Sequence, residues 1–368
     1  MRIALVTRRF PPLIGGAEAM LRYLAIALAD AGAEVTVLTS RLGDLPAEER
    51  VGEARVVRLA TSPARFVGTW LYMRNLRRWL ADHPVDLAYV SMLKHDAFVA
   101  VGEGRRRGFP VVLRPEGAGA TGDVAWQAWG RGGRAIARRC KEADAFVAIS
   151  EAVHAELVGA GYDESRIADL PNGVPVPDEP WSPRPDWAES PHAVFVGRLA
   201  PEKGLRTLVD AWPIVRRAFP AARLTLVGEG PERPSLEAQI ARLGLADAIE
   251  LPGASASPTA ILATADLFAL PSREEGMSIA LLEAMALGIP TVATAIPGNL
   301  KLVADGLHGR LAPPDDPGGL ARAIVAQWSD PGAALRMGRE ARARVIERYS
   351  IAAVARAHLD LFGRLVRR

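Results

Sequence analysis

Cysteine is nearly absent from this chain: Cys140 is the only one in 368 residues. That excludes an intrachain disulfide framework and any cysteine-built metal cluster, and it fits a reducing cytoplasm. Lysine is scarce too, with four (94, 141, 203 and 301) among 45 basic residues. No apolar run approaches the ~20 residues that span a bilayer. The opening Ile3–Val6 stretch is too short for the apolar core of a signal peptide. The expectation is a cytoplasmic protein that does not cross a membrane. A dominant charge sign is also missing. The net charge of +3 is spread evenly along the chain, which argues against a general nucleic-acid binder.

What is present is an ordinary globular composition, 49% hydrophobic and 24% charged. The length exceeds the ~250–300 residues at which single cores stop growing, so two domains are expected. Short apolar runs alternate with helical patterns. Strands are expected at 3–6, 35–38, 56–59, 87–90, 111–113 and 146–149, then at 193–196, 224–227, 249–251, 267–270 and 291–293. Such alternation predicts an α/β fold with mostly parallel sheets and helices on both faces. Seven prolines fall between Pro171 and Pro191, where periodicity fades. The expected layout is a first domain at 1–175, a Pro-rich linker at 176–191, a second domain at 192–348 and a terminal helix at 349–368 that packs back on the first domain.

The most informative stretch runs from Pro271 to Leu287, PSREEGMSIALLEAMAL. An apolar strand precedes it, and a Gly- and Pro-free run from Ser278 to Leu287 reads as a helix stopped by Gly288 and Pro290. Glu275 and Gly276 therefore occupy a strand-to-helix turn at the carboxyl end of a strand, where open α/β sheets bind ligands. Glu283 lies about a turn and a half into the helix, so two carboxylates can address two parts of one elongated ligand. The ordinary alternative is a dipole-favoured carboxylate at Glu275 and a solvated one at Glu283. The apolar neighbours of Glu283 speak for burial, and a buried carboxylate needs partners.

Other segments carry weaker signals. Gly15-Gly16 opens a helix after the first strand and permits close backbone approach to a phosphate. Arg198 and Lys203 flank a strand-to-helix loop suited to a diphosphate. Gly228 and Gly230 allow close backbone approach, although a simple turn explains them nearly as well. The Gly-rich loop after Arg114 holds Glu116 and Asp123, with Trp126 and Trp129 close behind, and could bind a sugar or polar acceptor. Residues 69–80 interleave Trp70, Leu71, Tyr72, Trp79 and Leu80 with Arg74, Arg77 and Arg78. That basic amphipathic helix is either a core face with a solvated back or a membrane-surface element.

Taken in order, Gly15-Gly16-Ala17-Glu18, the stretch from Val196 to Gly204 (VGRLAPEKG), the stretch from Leu226 to Pro231 (LVGEGP) and Glu275 with Glu283 eight positions on resemble family 4 glycosyltransferases over nearly the whole chain. The resemblance implies the GT-B fold, two Rossmann-like domains facing each other across a cleft that holds the active site. It implies retaining transfer of a hexose from a UDP- or GDP-linked sugar, used as co-substrate with no other cofactor, to a hydroxyl on a carbohydrate or lipid-linked acceptor. The setting expected is glycolipid or surface-polysaccharide assembly in the cytoplasm, at the inner face of a membrane touched peripherally by the first domain. Arg198, Lys203 and Glu275 take the catalytic roles, the two cations replacing a metal, and the chain has no D-x-D pair. Gly15, Gly16, Gly228, Gly230, Gly276, Met277, Ser278 and Glu283 bind the donor, Glu283 through the ribose hydroxyls. Glu116, Asp123 and Trp126 fall to the acceptor side. Met277-Ser278 stands where the family often has Phe-Gly, and Arg114-Pro115-Glu116-Gly117 stands where many members carry a histidine. The competing readings are a nucleotide-sugar epimerase or hydrolase of the same fold and a non-catalytic nucleotide-sugar-binding module.

Overall fold

A computed structural model describes the whole chain except Ile14, Ala120, Thr121, Pro185, Ala188, Ala256, Arg368 and the side chain of Arg65. Two residues of the Gly-rich loop and two of the Pro-rich segment thus lie outside the described residues. The chain divides into two compact units, one of residues 1–13, 17–173 and 351–368, the other of residues 14–16 and 174–350.

Among the described residues the first unit's sheet has eight strands. They are β1 (Arg2–Val6), β2 (Glu34–Ser40), β3 (Glu48–Val51), β4 (Ala54–Leu59), β5 (Leu87–Ser91), β6 (Val111–Arg114), β7 (Ala145–Ala148) and β8 (Ile167–Asp169). Their lateral order is β3-β4-β2-β1-β5-β6-β7-β8. All neighbours are parallel except the antiparallel β3–β4 pair. Central strands covered on both faces need apolar residues throughout, which is why β1 and β5 read as unbroken apolar runs. The edge strands β3 and β8 are exposed or half-buried, carry charge and have no such pattern, so sequence periodicity missed them. Helices α1 (Gly16–Asp30), α2 (Arg65–Asp82), α3 (His95–Arg107), α4 (Asp123–Trp129), α5 (Gly133–Cys140) and α6 (Glu151–Gly159) accompany these strands.

The last helix, Ile351–Val366, belongs to this unit although 177 residues of the other unit separate it from Gly173. It buries His358 and Phe362 against Tyr89 of β5, all three at most 1% exposed. His358 Nδ1 lies 2.8 Å from the Val354 carbonyl, which can only accept, so Nδ1 carries the proton. Nε2 is left to accept from the Tyr89 hydroxyl at 3.2 Å. Burial pushes the His358 pKa down to about 4. In α3, burial pushes Asp96 up to about 6, against the opposing pull of Arg8.

These two groups act on stability with opposite signs. The unfolded His358 binds a proton that the folded one refuses, so its contribution is present above the unfolded pKa and falls away from about pH 6.5 to about 4. The folded Asp96 binds a proton that the unfolded one has lost, so its contribution is present below the ordinary carboxylate range and falls away as pH rises through about 6. Each is worth about 3 kcal/mol. We expect His358→Gln to gain on the wild type by that amount as pH is lowered from 7 to 4, read as the difference in urea unfolding midpoints. A constant difference across that range would show that His358 does not titrate this way.

The second unit has six parallel strands among the described residues. They are β9 (His192–Val196), β10 (Arg223–Val227), β11 (Ile249–Gly253), β12 (Leu267–Leu270), β13 (Thr291–Thr294) and β14 (Arg310–Ala312), in the order β11-β10-β9-β12-β13-β14. Its helices are α7 (Leu205–Ala218), α8 (Arg233–Arg242), α9 (Pro258–Leu262), α10 (Ile279–Leu287), α11 (Pro297–Leu300), α12 (Pro317–Ser329) and α13 (Pro331–Arg348), and the helix Ile351–Val366 of the first unit is α14. The strand order reverses between β9 and β12, and a doubly wound sheet opens its ligand crevice beyond the carboxyl ends of such a pair.

The Pro-rich segment is tied down along its length to the second unit. The Trp181 amide donates to the Leu287 carbonyl (2.8 Å) and its indole N–H to the Ala265 carbonyl (2.7 Å). Arg184 reaches the fully buried Asp266 at 3.2 Å, and Arg342 donates to the Pro177 carbonyl at 2.6 Å. Prolines lack the N–H needed for a strand ladder, so this stretch is held by side chains and scattered backbone bonds instead.

Candidate active site

The loops that leave β9 and β12 carry the principal sequence candidates of the second unit. After β12 the chain passes through Pro271, the fully buried Ser272, Arg273, Glu274 and Glu275 to reach α10. The Arg273 amide donates to the Glu202 carbonyl at 2.8 Å, which joins this loop to the one after β9. Gly204 makes that approach possible: its φ is +62°, and a Cβ there would sit 2.2 Å from the Pro271 carbonyl oxygen. The joined loops bring Lys203 Nζ to 2.6 Å from Glu275 Oε1, and Ser272 Oγ donates to the same oxygen at 2.7 Å. The side chains of Glu275 and Lys203 are 8% and 21% exposed. Both printed contacts fall on Oε1, and Oε2 has no side-chain partner among the described residues.

Ser272 is itself held in place, because Thr294 Oγ1 donates to its carbonyl and Asn299 Nδ2 donates to the Thr294 carbonyl at 3.0 Å. Sequence reasoning missed Ser272, Thr294 and Asn299. Their signal is tertiary, since three separate segments meet only in the folded unit.

Arg198 follows β9 by two residues and is exposed, with no side-chain partner among the described residues. It is therefore a cation free to meet an anion. Gly228 and Gly230 have a packing explanation. A Cβ on Gly228, whose φ is +150°, would lie 1.8 Å from the Gly197 carbonyl oxygen, and one on Gly230 would lie 2.2 Å from that of Leu199. They let the loop after β10 lie flat against the Arg198 segment, so they shape that loop.

Gly276 has open space where a side chain would stand, and Met277 is half-buried. Ser278 caps α10, its hydroxyl accepting from the Leu281 amide at 3.3 Å. Glu283 is 7% exposed inside α10, as the apolar run around it required. Gly15 is half-buried, and Gly16 opens α1.

In the first unit, Glu116 follows β6 and its carboxylate is 15% exposed. Arg114, 1% exposed, pairs with it at 2.7 Å and also donates to Asn172 Oδ1 at 2.7 Å. Ser91, at the end of β5, donates to the same Glu116 oxygen. Asp123 does not face outward beside Glu116. It is 2% exposed, accepts from the Glu116 amide at 2.8 Å and lies 3.6 Å from Lys94 Nζ. Burial raises its pKa. Through the bond from the Glu116 amide it braces the loop that carries Glu116. Trp126 is half-buried, with Lys94 Nζ 5.6 Å and the His95 ring 5.4 Å from its ring centre, while Trp129 is 71% exposed.

Comparison with known proteins bears on the family and the fold. Residues 14–176 match Glycosyltransferase Family 4, and residues 190–330 match Glycosyl transferases group 1. Glycogen synthase of Mycobacterium tuberculosis is 28% identical over 98% of this chain and 94% of its own length. A GDP-mannose-dependent alpha-(1-6)-phosphatidylinositol monomannoside mannosyltransferase of Mycolicibacterium smegmatis is 27% identical over 91% of both chains. Among solved structures, sucrose-phosphate synthase from Thermosynechococcus elongatus superposes with a TM-score of 0.82 at 23% identity, over 99% of this chain and 98% of that one. HepE of Anabaena, solved with UDP and glucose, gives 0.79 at 21%, over 99% of this chain and all of its own. With both sheets parallel and helix-covered and its neighbours GT-B enzymes, the chain belongs to glycosyltransferase family 4.

Proposed function

We propose that this glycosyltransferase is a retaining hexosyltransferase that takes its sugar from a UDP- or GDP-linked donor and works without a metal. The observation that carries the reading is the Lys203–Glu275 contact at the switch point of the second sheet, with the unpartnered Arg198 on the same loop. Cleavage of the sugar–phosphate bond leaves negative charge on the nucleoside diphosphate. Two fixed cations stabilise that charge as it develops, with little reorganisation. The acceptor oxygen bonds to the anomeric carbon on the face that the phosphate leaves, and its proton passes to the departing phosphate oxygen. Glu275 orients the transferred sugar through the oxygen that Ser272 and Lys203 leave open. Glu283 accepts from the ribose hydroxyls.

The acceptor is a carbohydrate or a lipid-linked glycan, as the mannosyltransferase relative's name suggests, in cytoplasmic assembly of a glycolipid or surface polysaccharide. Glu116 and Trp126 stand on the acceptor side. The test is a panel of UDP- and GDP-hexoses with a lipid extract as acceptor, scored by mass spectrometry and by NMR of the new anomeric centre. An inverted product would refute retention. Free sugar or epimerised donor formed equally well without acceptor would identify a hydrolase or epimerase, and no turnover with any donor would leave a binding module.

The two carboxylates of this site separate in binding and turnover. We expect Glu283→Gln to weaken binding of the free nucleotide by about tenfold, the worth of one charge-assisted hydrogen bond. Glu275→Gln keeps free-nucleotide affinity close to wild type, because Lys203 is released rather than lost, and lowers sugar transfer. Calorimetry with the free nucleotide that ranked the variants the other way round would reverse these roles.

A further inference from the structure

Loops leave the carboxyl ends of β9, β12 and β14 on one edge of the second sheet, and an exposed ion pair ties these three together. Arg273, in the loop after β12, donates through Nε to Asp315 Oδ1 at 2.6 Å. Its Nη1 donates to the Pro201 carbonyl, in the loop after β9, at 3.4 Å. Asp315 lies between β14 and α12, and its Oδ1 also accepts from Thr207 Oγ1 of α7 at 3.5 Å. Pro201 stands two residues before Lys203, and Arg273 two residues before Glu275. The ion pair therefore grips both loops beside the Lys203–Glu275 contact.

This pair can contribute little to folding. Its side chains are 45% and 55% exposed, and water screens charges so placed. The backbone of Asp315 is also unusual. Its φ is +57°, a left-handed value shared, among the described non-glycine residues, only with Met92. Aspartate tolerates that region better than most residues, but glycine enters it without strain. The next residue, Asp316, caps α12 by accepting from the Gly319 amide at 2.9 Å, which fixes the chain there. A carboxylate thus stands at a backbone position better suited to glycine, and strained residues of this kind gather at functional sites. The partners of that carboxylate are Arg273 and Thr207.

The main-chain bonds between the two site loops all end on one atom. The Arg273 amide at 2.8 Å and the Glu274 amide at 3.4 Å both donate to the Glu202 carbonyl. A single point of attachment leaves the loops free to swivel. The guanidinium adds a second point at Pro201 and a third at Asp315, and three points fix an orientation. We propose that, given the roles assigned above to Lys203 and Glu275, Arg273 and Asp315 are positioning residues for sugar transfer. They set the loops after β9 and β12 and hold Lys203 in place against Glu275. Misplacing a reacting group by about 1 Å costs ~100-fold in rate, so a clamp that adds little to folding still governs turnover.

The test uses the full chain, and its first arm needs no substrate. The four lysines are acetylated with acetic anhydride, and the rate at each is read by mass spectrometry. Arg273→Ala and Asp315→Gly are each expected to raise the rate at Lys203 by about two- to fivefold, the range an exposed ion pair allows. Lys94 and Lys141, in the first unit, keep their rates. Asp315→Gly relieves the backbone and melts no lower than the wild type, which a merely structural carboxylate would not permit. In the second arm, with the donor and acceptor found by the panel above, both variants lower kcat by about three- to tenfold. On a Lys203→Ala/Glu275→Gln background, Arg273→Ala costs at most about twofold more, because the contact it positions is gone. A Lys203 rate or a kcat left at the wild-type value by both variants overturns the proposal and spares the site reading. A loss that persists in full on the double-variant background also overturns it, since Arg273 would then touch a substrate itself. Lys203→Ala/Glu275→Gln that transfers like the wild type overturns the site reading and the clamp with it.

Discussion

Arg198→Ala is expected to lower kcat by about a hundredfold or more while leaving the fold unchanged, the usual cost of losing one preorganised donor to developing charge. The side chain is exposed and has no partner among the described residues, so its removal breaks nothing locally. A surface change of this kind shifts stability by about 0.5 kcal/mol at most. Lys203→Ala reaches a similar kcat, but it also leaves the Glu275 carboxylate, 8% exposed, without its cation. Lys203→Ala should therefore be read beside Lys203→Ala/Glu275→Gln. The double variant should recover stability, and if Lys203 serves the leaving phosphate its kcat lies well below that of Glu275→Gln alone. Wild-type activity should persist in chelator. Its loss in EDTA and return with magnesium or manganese would show that these cations do not replace a metal.

The second large effect lies in the first unit. Arg114→Met should destabilise the protein by about 3–5 kcal/mol, because it strands the Glu116 carboxylate in a nearly closed site and removes the bond that Arg114 donates to Asn172 Oδ1. For a unit of this size that is on the order of ten degrees in Tm. Arg114→Met/Glu116→Gln should recover part of the loss by removing the uncompensated charge. A single variant that melts like wild type would show that the pair contributes nothing net. Glu116→Gln by itself keeps the bond from Ser91. It is expected to depress transfer with donor Kd within about twofold of wild type. Donor binding that fell in parallel, in a folded protein, would move the loop to the donor side.

Much of this fold was legible because central strands of parallel sheets announce themselves. Runs such as Ala4-Leu5-Val6 and Leu267–Leu270 have no polar face to alternate with. The edge strands were illegible for the converse reason. β3 reads Glu-Glu-Arg-Val and is specified by pairing with β4 rather than by burial. Among the candidate site residues, Glu275 was visible by its place in a strand-to-helix turn, Glu283 as a carboxylate in an apolar run, and Lys203 as a rare lysine. That Lys203 and Glu275 touch was not readable, since 72 residues separate them and the contact depends on Gly204 and Ser272. The local partners of Ser278 and Asp123 were equally unreadable: one hydroxyl caps α10 and one carboxylate accepts from the Glu116 amide.

The membership of α14 in the first unit has a consequence for how the protein is made. Apart from residues 14–16, the second unit is one uninterrupted run, 174–350, and emerges from the ribosome whole. The first unit begins earlier but cannot finish, because His358 and Phe362, which cover Tyr89, come last. Domains usually fold in the order of synthesis. Here the unit begun first is completed last, and the nascent first unit waits with the Tyr89 side of its sheet bare. A chaperone that binds exposed apolar sheet would meet it in that interval, and a nonsense mutation between residues 351 and 358 would strand the first unit while sparing the second.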